Sequence, residues 1–282
     1  MALACALAWA GAILLFRRSS AVSATALNLF KNVFASALLL ATMLAVGVRF
    51  DAHRSLVDWL ELAGSGVLGL AVADSLFFAG LRRIDASIAA VADCAYSPTV
   101  LLLSALWLGE AMSARLVVGA PLVVAGLLVV SWQRPGAARI DRRGVALAVA
   151  GVITTAFGVV LAKPALDRSS VVEATTIRLI SGSIALFAFE AVNGRAREAA
   201  ALFRPQRVWR SAVPATLLGT YVAMLLWLGG MKYGTASRAA LLNQMGAIFV
   251  LVLSRLAGER VPLRRWAGAS IAVAGVVVLV AR

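Results

Sequence analysis

The sequence predicts an all-α integral membrane protein of ten transmembrane helices arranged as two inverted five-helix repeats. Three observations predict it. Of the 282 residues, 62% are hydrophobic and 14% charged, and mean hydropathy is +0.92, whereas a soluble domain carries roughly 25% charged residues. Apolar runs follow one another along nearly the whole chain, each close to the roughly 20 residues that cross a bilayer core as a helix. The second half then repeats the first at an almost constant offset. The runs are continuously apolar rather than alternating, which excludes a membrane β-barrel.

In order, the first five runs are Ala2 to Phe16, Asn28 to Val48, Trp59 to Leu81, Ala86 to Leu108 and Leu116 to Trp132. The second five are Gly144 to Ala162, Ala174 to Asn193, Trp209 to Gly230, Ser237 to Leu256 and Arg265 to Ala281. Turn and charge signals separate them: Arg17-Arg18-Ser19-Ser20, Arg82-Arg83-Ile84-Asp85, Arg134-Pro135-Gly136 and the longer Gly194 to Arg207. The repeats therefore divide as 1–135 and 136–282. The first run lacks a basic leader and no clear cleavage site follows it, so it reads as a span and not as a removed signal peptide. With no room for side domains, function must reside among the helices.

At an offset of 150, Trp59 meets Trp209, Leu68-Gly69 meets Leu218-Gly219, Gly80 meets Gly230 and Ala86-Ser87 meets Ala236-Ser237. One deletion shifts the offset to 149, where Gly109-Glu110 meets Gly258-Glu259, Gly119 meets Gly268 and Ala125-Gly126 meets Ala274-Gly275. Five spans per copy is odd, so the second copy enters the membrane from the opposite side. Inverted repeats of this kind recur in secondary transporters, with the site near midplane between the repeats.

Trp9 and Gly11 in the first run, Ala-Ser opening an apolar helix that ends in Gly-Glu, and a following helix with spaced glycines occur across the chain. This pattern resembles the drug/metabolite transporter superfamily, in its ten-helix EamA-like branch. The resemblance implies a multi-pass protein of the plasma membrane, in a bacterium the inner membrane, that exports amino acids, other metabolites or drugs. It also implies cytoplasmic termini. The connections argue the other way: seventeen Lys and Arg lie on the side away from the termini against eight on the termini's side, which by the positive-inside rule puts the termini outside. Orientation stays open at this point, as does the choice between monomer and dimer.

The formal charge of +14 would suggest nucleic acid in a soluble protein. Here the cations sit in short connections, where they anchor loops against anionic lipid, and no basic stripe with interleaved aromatics appears. Cys5 and Cys94 lie inside apolar runs and support neither a disulfide framework nor a metal site. His53 is the sole histidine, which argues against zinc proteolysis and triad hydrolysis. No Walker A motif couples the chain to ATP. No cofactor is implied, and coupling would be to protons, by exchange, or by simple gradient-driven movement.

Charged residues within hydrocarbon cost about 2.5 to 3.5 kcal/mol each at a helix centre, so they face a cavity or one another. Lys31, Asp74 and Asp93 fall in one half of the membrane, where they form either an ion network pinning helices or a cation or proton site. Arg178, Asn243 and Gln244 fall in the other half, where a guanidinium with two amides either suits a carboxylate or amide group or joins helices through interhelical hydrogen bonds. Trp9, Tyr96 and Trp227, with Tyr221, are deep enough to stack on a substrate or to pack a core; Trp107 and Trp132 suit the interfacial belt. Glu110 and Glu259 are read as structural, accepting hydrogen bonds at the start of the next helix. Pro98 and Pro214 are the hinge candidates. Gly64-Ser65-Gly66-Val67-Leu68-Gly69 fits a dinucleotide pattern but has no preceding strand, so its glycines indicate close helix approach.

The two halves together predict a secondary transporter, not an enzyme, that exports a small polar or amphipathic metabolite, with an amino-acid-like zwitterion favoured. Efflux of cationic drugs is the alternative. A polytopic membrane enzyme built on Asp74 and Asp93 is the rival from another class. The helices Ala86 to Leu108 and Ser237 to Leu256 are expected to face each other across the cavity.

Overall fold

The computed structural model describes residues 1–17, 24–81, 83–84, 92–131, 141–256, 258 and 261–280. Among them it is all-helical. The helices are α1 (Ala2–Arg17), α2 (Ala24–Val46), α3 (Leu56–Gly66), α4 (Ala73–Leu81), α5 (Tyr96–Trp107), α6 (Ala114–Ser131), α7 (Arg142–Arg168) and α8 (Val171–Val192). There follow α9 (Ala196–Ala201), α10 (Trp209–Thr216), α11 (Ala223–Lys232), α12 (Ala236–Asn243), α13 (Gly246–Leu256) and α14 (Leu263–Val280). Six helical stretches of the described residues are long and apolar enough to cross a membrane, and Ala2–Ala12, Tyr96–Trp107 and Ala114–Val130 are shorter apolar helices. The start of the predicted fourth span, Trp132 and the boundary between the predicted repeats at 135 lie outside the described residues.

Local chemistry sets the helix ends. Ser55, Ser170 and Thr235 accept from the backbone N–H three residues on and so cap α3, α8 and α12. Asp141 caps α7 through the N–H groups of Arg143 and Gly144, and chiefly the Gly144 bond holds its carboxyl below the usual carboxylate range. Gly109 and Gly258, with φ of 65° and 90°, follow α5 and α13, a left-handed turn that costs other residues a Cβ clash. Past the predicted end at Ala162, α7 continues through Pro164 to Arg168, with Ala165 and Leu166 buried in the core and Lys163 paired with Asp167 one turn on, at 2.6 Å.

Two departures from a plain helix recur 150 residues apart. Between α3 and α4 the chain forms a π-helix over Val67–Val72, and between α10 and α11 another over Leu217–Val222. The next helix is broken in both halves, by turns at Cys94-Ala95 and at Gln244-Met245. Pro98 leaves the Cys94 carbonyl without an N–H at the first break, but the second break forms with Ile248 at the equivalent position, so the break does not depend on proline.

The packing exchanges partners between the halves. The stretch α3–α4 lies along α7, while α1 lies along α10, α11 and the second π-helix; α2 packs on α8, and α5 on α12. Small residues permit these approaches. A Cβ on Gly151 would stand 2.7 Å from the Phe77 nitrogen, and one on Gly80 2.6 Å from the Ala148 nitrogen. The glycines of the Gly64–Gly69 run face the same kind of crossing: Gly66 lies against the Arg178 carbonyl and Gly69 against Gly158. Apart from this bundle, α6 and α14 pair tightly, with Gly119, Gly126, Gly268 and Gly275 at the crossing.

Candidate functional site

One cavity of about 350 Å³ opens where the helices are broken. Trp9 of α1, Lys31 of α2, Asp74 of α4, Asp93, Tyr96 of α5, Arg178 of α8, Trp227 of α11, Asn243 of α12 and Gln244 all line it. These nine come from both halves, and both π-helices contribute, through Gly69 and Leu70 and through Gly219 and Thr220. α6 and α14 contribute nothing. Neither hinge candidate touches this cavity: Pro98 borders a separate apolar groove with Pro121, and Pro214 sits in α10 directly before the second π-helix.

The polar lining is graded in burial. Asp93 is exposed, and Lys31 and Asp74 face each other at 3.8 Å with side chains 15% and 26% exposed. Arg178, at 1%, is fully buried. Lys31 thus pairs with Asp74, while Asp93 makes no ion pair among the described residues. Gln244 Nε2 donates to the Asp93 carbonyl at 3.1 Å, so the two broken helices meet at their breaks, with Asp93 and Asn243 both turned to the cavity. That bond spends one Gln244 donor on a contact between helices, while Asn243 and Gln244 both line the cavity.

At the buried end the Arg178 guanidinium stacks on Trp227, 5.5 Å from the ring centroid. Trp227, Tyr96 and Cys5 pack in one apolar cluster. Several polar atoms here find no hydrogen-bond partner among the described residues: Arg178 Nε, Trp227 Nε1, the Tyr96 hydroxyl, Asn243 Oδ1, Asn32 Oδ1 and Thr220 Oγ1. Buried polar groups are otherwise almost always satisfied.

Polar contacts link the 50–58, 168–173 and 232–238 connections to one another. Arg54 pairs with Glu173 at 2.7 Å, both nearly buried, and donates to Ser169 Oγ at 2.6 Å. Arg168 bonds Asp58, and Lys232 donates to the Ser169 carbonyl. The Glu110 carboxylate accepts from Ala236 N at 2.6 Å and from Ser237 Oγ at 2.6 Å. The predicted role of Glu110 is corrected in its partner: it caps α12, 126 residues away in sequence, and not the helix that follows it. Glu259 lies outside the described residues.

The EamA-like transporter family model matches residues 1–132 and again 142–281. The chain belongs to the EamA-like transporter family. An uncharacterized transporter of Archaeoglobus fulgidus is 25% identical over 240 residues, covering 85% of this chain and 84% of that protein. A solved crystal structure superposes with a TM-score of 0.81 at 20% identity, covering 99% of this chain and 94% of the other, which shows the fold alone. This EamA-like chain is therefore a multi-pass membrane transporter, and it acts from within a lipid bilayer.

Sequence reasoning missed Cys5, Asn32, Thr155 and Thr220 in the cavity wall. For Asn32 a signal existed. Asn28, Asn32 and Ser36 repeat every four residues and bond down one face of α2, which marks a polar stripe on an apolar helix. The hydroxyls of Thr155 and Thr220 carried none, since such residues commonly bond their own helix carbonyls.

Proposed function

We propose that the chain is a ten-span secondary transporter of two inverted five-helix repeats, 1–135 and 136–282, that exports a small polar or amphipathic metabolite through the described cavity. An amino-acid-like zwitterion suits it best. The observation that carries this reading is the cavity itself: charged and aromatic side chains of both halves line one space at the breaks of two helices. Discontinuous helices at the repeat interface are where such carriers bind substrate. The recurrence of the π-helices and the helix breaks at one offset of 150 supports the internal duplication, and the exchanged packing suits a pseudo-twofold relation between the repeats.

In this reading Lys31, Asp74, Asp93, Tyr96, Arg178, Asn243, Gln244, Trp9 and Trp227 form the pathway. Asp93 is the proton or ammonium acceptor, because Asp74 is engaged by Lys31. The same pairing weighs against a membrane enzyme that needs both carboxylates. A buried guanidinium weighs against cationic drugs as the principal cargo. The connections at 50–58, 168–173 and 232–238 form the closed gate of alternating access, and Pro98 and Pro214 mark the segments that bend. The chain resides in the plasma membrane.

The test is flux from proteoliposomes over a panel of amino acids, amides and organic cations, with and without a pH gradient. Saturable, competed flux of zwitterions is expected. Product formation without transmembrane flux would favour the enzyme, and preferential flux of organic cations would favour drug efflux.

A further inference from the structure

The buried end of the cavity holds an arrangement that protein groups alone leave incomplete. Arg178 is 1% exposed and makes no ion pair among the described residues. Its only aromatic or charged neighbours recorded there are the Trp227 ring beneath it and the Tyr96 hydroxyl within electrostatic reach. An uncompensated buried charge is strongly destabilising unless another group supplies its counter-ion. Two neutral donors stand beside it, Trp227 Nε1 and the Tyr96 hydroxyl, near enough to interact with each other, yet both are buried and neither completes a hydrogen bond among the described residues. All three residues line the same cavity.

We infer that Arg178, Tyr96 and Trp227 form a carboxylate subsite at the buried end of the cavity, where the carboxylate of the transported molecule is the counter-ion that Arg178 lacks. The inference rests on the transport reading above and adds to it the group that is recognised. One guanidinium with two neutral donors matches a monoanion, and a guanidinium binds a carboxylate through two parallel bonds. A dianionic phosphate would need a second cation, and the other cation of the cavity, Lys31, faces Asp74. Leu70, Met224, Ala247 and Val250 complete the wall and suit an apolar side chain, while the exposed Asp93 suits an ammonium group at the mouth. Asn243 and Gln244 then orient the molecule rather than bind its charge.

The experiment is calorimetric binding to purified full-length protein with four probes of nearly one shape: L-leucine, 4-methylpentanoate, L-leucinamide and 3-methylbutylamine. Leucine and 4-methylpentanoate are expected to bind about tenfold or more tighter than the amide and the amine, as one charge-assisted hydrogen bond implies. Arg178→Met abolishes that preference, and Trp227→Phe and Tyr96→Phe reduce it while leaving the charge in place. Equal binding of all four probes, no binding of either carboxylate, or an unchanged preference in Arg178→Met overturns the subsite. Because Arg178 lacks a protein counter-ion, Arg178→Met is expected to melt no lower than the parent, which guards against loss of fold as the cause. Flux in proteoliposomes separates the two readings. Selective binding of carboxylates without flux sinks transport and supports the subsite, whereas flux of leucinamide and the amine as fast as leucine sinks the subsite and leaves transport standing.

Discussion

Removing the Glu110 carboxylate should loosen the start of α12, and the size of the effect follows from its contacts. One oxygen accepts from Ala236 N at 2.6 Å and the other from Ser237 N at 3.2 Å and Ser237 Oγ at 2.6 Å. Bonds to a charged acceptor contribute about 1.5–3 kcal/mol each, and a carboxylate at a helix N-terminus adds about 0.3–1 kcal/mol. Glu110 is partly exposed, so screening holds the total for Glu110→Ala to about 2–3 kcal/mol. Glu110→Gln retains the shape but turns an amide toward two N–H donors, and should cost about half of that. A double-mutant cycle with Ser237→Ala, read by denaturant unfolding of purified protein, isolates the contact. Coupling of about 1 kcal/mol is expected. Additivity within about 0.3–0.5 kcal/mol would show that the cap transmits nothing between α5 and α12, and the reasoning would fail.

Arg54→Ala should destabilise by about 3–5 kcal/mol, because it strands the buried Glu173 carboxylate, whereas Arg168→Ala, whose side chain is 56% exposed, should cost about 1 kcal/mol or less; unfolding midpoints compare them. Gly275→Leu should force α14 off α6, where even a Cβ would stand 2.7 Å from the Val123 nitrogen, costing about 1–3 kcal/mol while the protein that folds keeps its Km, since neither helix lines the cavity. Asp141 has a lowered pKa, so the stability it contributes is present above its unfolded pKa and is lost as pH falls through its folded one; Asp141→Asn should flatten that acid limb in a pH series of melting points.

The charged cavity residues were legible because charge is rare in hydrocarbon: Lys31, Asp74, Asp93 and Arg178 stand out in runs of Leu, Val and Ala. Asn243 and Gln244 were legible through the repeat, because at the offset of 150 they stand where Asp93 and Cys94 stand in the first half. The π-helices were not, since an i→i+5 bond leaves no side-chain signature; only Gly69, read as a close-packing glycine, and its repeat partner Gly219 fall within them. The partner of Glu110 was also hidden. A cap on α12 is a contact across the bundle, and the sequence offers Glu110 only its neighbours. Finally, the spacing of spans located Lys31 near both acids, but the choice of Asp74 over Asp93 depends on side-chain reach that periodicity does not contain.

The central claim is that the cavity at the helix breaks is the transport pathway, with Asp93 acting in it. Its most direct test is zwitterion flux in proteoliposomes for the parent and for Asp93→Asn, with insertion of equal amounts of folded protein verified for both. The account predicts saturable flux in the parent and flux at background in Asp93→Asn. Parental rates in the variant would contradict it.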